Sequence, residues 1–198
     1  MILFSNGIKV ADGNAVQQDI VLDAGGSQTL TLVALGGGDA VFNIDIKGAG
    51  ARVELRGLYV CKGDDRLGVK VNLRHSSGGS FSNQLFRGIV SDSARAKFEG
   101  RIVVAPDAQK TEAYQSNRNL QLSDNATVET LPQLEIYADD VKCSHGATVG
   151  SLDLDEQFYM RSRGISLQEA RRLQMISFLT PVLEGLDQEI KDMVFEAI

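Results

Sequence analysis

Two of the rarest residue types in the chain stand one position apart, in Cys143-Ser144-His145. The 198 residues hold two cysteines and two histidines, so this tripeptide has one of each. If the segment is extended, side chains alternate, and Cys143 and His145 face one side about 7 Å apart at the backbone. A thiol beside an imidazole has the makings of half a metal site or of a nucleophile–base pair. As a nucleophile–base pair it is poor, because no third group is evident to orient the histidine. As a metal site it is incomplete, because zinc and iron–sulfur centres usually take four ligands. Read from these residues alone, a packed cysteine beside a surface histidine is the plainer account. A half-site acquires meaning only where a second chain completes it.

The remaining candidates are weaker. Gly36-Gly37-Gly38 has the look of a phosphate cradle, but no Lys-Ser/Thr follows it, so it reads as a turn. Gly-Xaa-Ser-Xaa-Gly, His-Glu-Xaa-Xaa-His and Cys-Xaa-Xaa-Cys are all missing. Asp64-Asp65 and Asp139-Asp140 read as solvated turn formers. His75, at the end of a strand, is expected to be a hydrogen-bonded structural histidine, and Cys61 a small core hydrophobe.

Composition narrows the function further. The net charge of −6 and the lack of any basic run argue against a nucleic-acid partner, which would need clustered Lys and Arg. Apolar residues at 43% and charged residues at 23% are ordinary for a globular chain long enough to bury one substantial core. Two cysteines do not make a disulfide framework in a chain of this length. Met1-Ile2-Leu3-Phe4 is too short for a signal peptide, and no stretch approaches the roughly 18 apolar residues of a membrane span. The expectation is a soluble cytoplasmic protein with no membrane partner.

Two periodicities position these residues. Up to about residue 151 the chain reads as short strands and turns: Ile20–Asp23, Thr29–Leu35, Ala40–Ile46, then Val69–Arg74, Ser82–Val90, Arg95–Ala105, Lys110–Asn117 and Thr127–Tyr137. Small-residue turns feeding β runs recur loosely at Gly50-Ala51, Ser93-Ala94 and Asn125-Ala126. This echo gives no period, so a sandwich, a barrel and a stacked β-helix all remain open. From about Leu152 the pattern turns helical. Asp153 and Asp155 precede a run that ends in Arg161-Ser-Arg163-Gly164, which suits a helix dipole and a glycine cap. Ser166-Leu-Gln-Glu169 is a capping box opening a second helix with Leu167, Ala170, Leu173 and Ile176 on one side, which Pro181 should kink or restart. A last helix is expected over about Asp187–Ala197.

The run Pro132-Gln-Leu-Glu-Ile-Tyr-Ala-Asp-Asp-Val-Lys-Cys-Ser-His-Gly-Ala-Thr-Val149 closely resembles the hallmark segment of the SufB/SufD family of iron–sulfur cluster assembly scaffolds, on its SufD side. Lys110–Leu120 looks like that family's Gln/Asn-rich stretch, Ser82–Ser91 like its central strands, and Phe158–Ile165 with Glu169-Ala170 like its C-terminal helical signature. The resemblance implies a right-handed parallel β-helix, a single-stranded solenoid, over residues 1–151, followed by a helical subdomain over 152–198. It also implies a scaffold and not an enzyme. The β-helix would pair with SufB, and the C-terminal helices would dock the ATPase SufC through Arg163, Ser166, Glu169, Leu173, Ile176 and Phe178.

His145 is then the implied ligand of a nascent cluster at the SufB–SufD interface, with Cys143 a second candidate of lesser role. No cofactor is expected to stay on this chain alone, since the cluster would be transient and belong to the assembled complex. A homodimer in isolation is a further expectation. Family members are longer and carry a mostly helical region before the β-helix, so the sequence reads as part of a longer product. Two alternatives stand beside this reading: a β-helix enzyme acting on acidic polysaccharide, and a metal-free homodimeric interaction protein.

Overall fold

Parallel strands in one sheet need a crossover of a dozen or more residues, usually a helix. In this chain each crossover is itself a strand, laid in a second sheet. A computed structural model describes all 198 residues. The strands are β1 (Ile2–Ser5), β2 (Ile8–Asp12), β3 (Ala15–Leu22), β4 (Ser27–Leu35), β5 (Gly38–Ile46) and β6 (Arg52–Cys61), followed by β7 (Arg66–His75), β8 (Phe81–Val90), β9 (Arg95–Val104), β10 (Glu112–Gln121), β11 (Thr127–Ile136) and β12 (Lys142–Gly150). Three helices follow: α1 (Leu154–Ser162), α2 (Leu167–Leu183) and α3 (Gln188–Glu196).

From β3 onward successive strands alternate between the two sheets. One sheet runs β12-β10-β8-β6-β4-β1-β2 and the other β11-β9-β7-β5-β3. Every pairing is parallel except those of β1, which lies antiparallel to both β2 and β4. The result is a β-solenoid of about 4 turns. No helix is long and apolar enough to cross a membrane.

Register neighbours measure the turn. Glu54 and Asn83 are 29 residues apart, Gln84 and Gln115 31, and Glu112 and Lys142 30, whereas Asp19 and Asn43 are only 24 apart. This variation hides the period in the sequence. The echo of small residues has a second complication, because each turn has two corners. Ala51 opens a strand of the larger sheet, while Ala94 and Ala126 open strands of the smaller one; all are buried.

The interior between the sheets is filled by alternate side chains. Leu67, Val69, Val71 and Leu73 of β7 point in, and Phe86 meets Phe98 across the lumen with ring centres 4.8 Å apart. The larger sheet departs from alternation: β6 and β8 are buried continuously over Leu58–Cys61 and Phe86–Val90. That is the pattern of a sheet covered on both faces. The outward Leu58, Val60 and Ile89 pack under Leu179, Val182 and Leu183 of α2 and Ile190 and Val194 of α3.

The helix ends follow the capping signals. Asp153 accepts hydrogen bonds from the backbone N–H of Asp155 and Glu156, Ser166 accepts one from Glu169, and Gly164 takes φ +88° after α1. One expectation is narrowed and one corrected. Of the kink or restart expected at Pro181, the restart does not occur, and α2 continues to Leu183. The proline stands in its last turn, where Thr180 accepts from the Glu184 N–H and Val182 and Leu183 are anchored in the core. The buried side of α2 is Ala170, Gln174, Leu179, Val182 and Leu183, while Leu167 and Leu173 are exposed. The helix meets the sheet mainly through its second half, so the apolar residues of its first half lie beyond the covered surface.

Large and small residues interlock between turns. Gly57 stands beside Phe86 and Gly88 beside Tyr59, and a Cβ added to Gly88 would run into the Tyr59 ring and the Asn119 amide. Gly88→Ala should therefore lower the unfolding free energy by about 1–3 kcal/mol, read from urea denaturation. A variant as stable as the parent would show that the turns are free to separate.

Candidate functional site

Strand β12 ends the larger sheet, with β10 on one side and an unpaired edge on the other. Its register places Cys143 beside Ala113 and His145 beside Gln115. Both partners are buried lumen-facing residues, so Cys143 and His145 share the inner face of the last strand. Their depths differ. Cys143 is half-buried and packs against the lumen core, and burial raises its thiol above the ordinary range, which favours the neutral form. His145 is exposed. No group of three or more His, Cys, Asp or Glu side chains gathers in a way that could hold a metal. The chain presents two donors on one strand, and the imidazole is the accessible one.

The lumen below this strand is polar where earlier turns are apolar. The row that carries Leu30 and Leu55 continues through Gln84 and Gln115 to His145. Gln115 Nε2 donates to Gln84 Oε1 at 2.8 Å, leaving Gln115 Oε1, Gln84 Nε2 and Thr130 Oγ1 buried without partners. Over the next two rows, Asn119 Nδ2 donates to Asn117 Oδ1 at 2.7 Å, Asn117 donates to the Tyr59 hydroxyl at 3.3 Å, and Tyr59 donates to Asn119. Polar side chains fully enclosed in a stack are costly unless paired, so the chain keeps them adjacent in register.

A second candidate surface lies on the helices. Leu154, Phe158 and Tyr159 of α1 are 76%, 73% and 60% exposed, while the one buried residue of that helix is Gln157. Phe158 and Tyr159 lie in the run that resembles the family's C-terminal helical signature, yet neither they nor Leu154 stood among the residues expected to dock a partner. Their signal is the Leu154–Phe158 spacing of one helical turn, while Gln157 on the adjoining stripe bonds Gln174 at 3.0 Å. Of the residues expected to dock a partner, Arg163, Ser166, Glu169 and Leu173 are exposed and Ile176 is half-buried. Phe178 is half-buried as well, turned onto the sheet with Arg87 5.7 Å from its ring centre. A groove of about 570 Å³ on the outer face of the smaller sheet includes Asp19, Asp45, Arg101 and Glu135. Its charges are already engaged: Arg101 grips Glu135 through two bonds of 2.7 and 2.8 Å, and Asn43 donates to Asp19.

Residues 11–178 match the family model described as SUF system FeS cluster assembly, SufBD core domain. The chain belongs to the SufB/SufD family. It is 49% identical over 127 residues to the iron–sulfur cluster assembly protein SufD of Escherichia coli, covering 64% of this chain and 30% of that protein. It is 46% identical over 116 residues to the SufBD family protein slr0076 of Synechocystis, covering 59% of this chain and 25% of that one. With the chloroplastic protein ABCI7 of Arabidopsis thaliana it shares 39% over 169 residues, 82% of this chain and 35% of the plant protein. The chain thus spans between a quarter and about a third of the length of these relatives. The matched SufBD core takes in β12 and most of α2, so the Cys143–His145 strand and the start of the helical layer both belong to it.

Within this SufBD core the second histidine has a different environment. His75, at the end of β7, is fully buried with Nδ1 2.7 Å from Ser80 Oγ and Nε2 2.8 Å from Ser82 Oγ. Burial lowers its pKa from 6.5 to about 4. Between these values the unfolded chain binds the proton and the folded chain does not. The stability that neutral His75 supports is therefore present above about pH 6.5 and is lost as pH falls towards 4, by about 3 kcal/mol in all. Urea unfolding at pH 7 and pH 4.5 should show the loss, and His75→Gln should shrink it. An equal loss in the variant would exclude His75 as the source.

Proposed function

We propose that this chain is scaffold in an iron–sulfur cluster assembly complex, offering His145 to a nascent cluster that a second chain's ligand completes. The observation that carries the reading is the exposed imidazole on the inner face of the unpaired edge strand β12, in a chain with no other metal-donor group assembled around it. An open strand edge is a template for another strand. Pairing there by SufB would extend the lumen by one turn and bring a donor from the partner alongside His145. Iron and sulfide are the cargo of such a site. A ligand set divided between two chains releases that cargo when the chains shift, and an imidazole holds iron less firmly than a thiolate. Cys143, kept neutral by burial, supports the strand and packs against the lumen core.

The family membership supports the assembly role, and the relatives named SufD and SufBD proteins point to the same complex. The exposed apolar residues of α1 and the outer residues Arg163, Glu169 and Leu173 are the proposed docking surface for the ATPase SufC. Catalysis is assigned to that partner and not to this chain.

Two experiments test the reading, both in the full-length protein co-expressed with SufB and SufC under anaerobic conditions. His145→Ala should leave the complex intact on size exclusion and abolish the build-up of cluster-bound iron and sulfide. Unchanged iron and sulfide would defeat the assignment of His145. Phe158→Glu should weaken retention of the ATPase by about tenfold or more while the solenoid still folds, because the side chain makes no buried contact to lose. Full retention would move the docking surface elsewhere.

A further inference from the structure

The triplet Arg-(Gly/Asn)-(Leu/Ile) recurs at Arg56, Arg87 and Arg118, once on each of β6, β8 and β10. The three arginines alternate with lumen-facing residues and so stand on the outer face of the larger sheet. Arg87 and Arg118 are direct register neighbours on adjacent strands, about 4.8 Å apart at the backbone. Arg56 lies two residues before Leu58, the neighbour of Arg87 on β6, and is a diagonal neighbour at about 7–8 Å.

Arg87 is unusual among them because it is 9% exposed. Its guanidinium donates one hydrogen bond, from Nη1 to the carbonyl of Phe86 at 3.1 Å, and has the Phe178 ring of α2 beside it at 5.7 Å. The ion pairs of the chain all involve other residues. The acids on the same outer face are engaged elsewhere: Glu54 accepts from Asn83 at 3.1 Å, and Glu112 pairs with Lys142 at 3.0 Å. Burial, and then the neighbouring Arg118, hold Arg87 below the ordinary guanidinium range.

A buried cation with a second cation beside it and no counter-charge is strongly unfavourable. In a chain of net charge −6, with more acids than bases, such a pair is not a by-product of composition. We propose that Arg87 and Arg118 form a binding site for a phosphate group at the edge of α2. Two planar forks of N–H donors match an oxyanion bidentately. A phosphate group carries about −1.5 to −2 charges near neutral pH and balances both guanidiniums, whereas a carboxylate balances one. Thr148, the register neighbour of Arg118 on β12, adds a hydroxyl at the open side, and the Phe178 ring forms the apolar wall on the other. The site is on the opposite face of the sheet from His145 and stands independently of any role for that residue.

Isothermal titration calorimetry of the chain with inorganic phosphate at fixed ionic strength tests this, with ADP and acetate in parallel arms. The expected result is saturable one-to-one binding of phosphate, weakened about tenfold or more in Arg118→Ala, an exposed position where folding is not at stake. Arg87→Met should abolish the binding and the rise in melting temperature that phosphate produces; if that variant does not fold, Arg118→Ala decides alone. Competition between ADP and phosphate assigns the site to the phosphate group whatever carries it, and saturable binding of ADP alone assigns it to nucleotide-borne phosphate. Absence of saturable heat for both ligands up to about 10 mM overturns the proposal. So does acetate binding as tight as phosphate, or an Arg118→Ala protein that binds as well as the parent.

Discussion

The backbone ladder that joins each turn of the solenoid to the next is the interaction on which everything else rests. Strands β5 to β10 take their hydrogen bonds from the turn before and the turn after, and side chains follow that register in rows. Once the ladder is in place, a residue's neighbours lie one turn away in sequence, and their identity decides whether a row is apolar, amide-rich or charged. The same ladder fixes where the chain is unfinished. A stack ends on strands whose outward N–H and C=O groups face nothing, and β12 is one of them.

The two sheets use the ladder differently. The smaller one exposes its outer face, which is held by rows of Asn, Asp, Lys, Glu and Arg pairs such as Asn43 to Asp19 and Arg101 to Glu135. The larger one is covered on part of its outer face by α2 and α3, so Leu58, Val60 and Ile89 can point away from the lumen and still be buried. The covering helices also create the odd surroundings of Arg87, a charge caught at the margin of an apolar contact.

Polarity rises along the lumen towards the open end. Leu30 and Leu55 give way to Gln84, Gln115 and finally His145 in a single row. The apolar turns hold the stack together, while the last turns carry groups that ask for partners. Cys143 and His145, equivalent by spacing, are made unequal by depth: one thiol is drawn towards the core, one imidazole is left to solvent.

Much of this was written in the sequence by itself. Alternation in segments such as Ala40–Ile46, the turn residues between strands, the acid-to-base run closed by Gly164, and the Ser166 capping box are local signals, and local physics honours them. The shared face of Cys143 and His145 followed from the two-residue period, and His75 proved hydrogen-bonded as its setting suggested. Other features needed the folded chain. The period of the solenoid was illegible because turns vary in length and offer two similar corners. Arg118 became the neighbour of Arg87, Gln115 that of His145, and Gly88 that of Tyr59 only through the register. The stripe of α2 that is buried was misjudged from spacing, since it depends on where the sheet beneath it ends. Local periodicity decides what each segment is; which segments meet, and which residues are left without a partner, is a property of pairing at a distance of one turn, which tertiary structure alone decides.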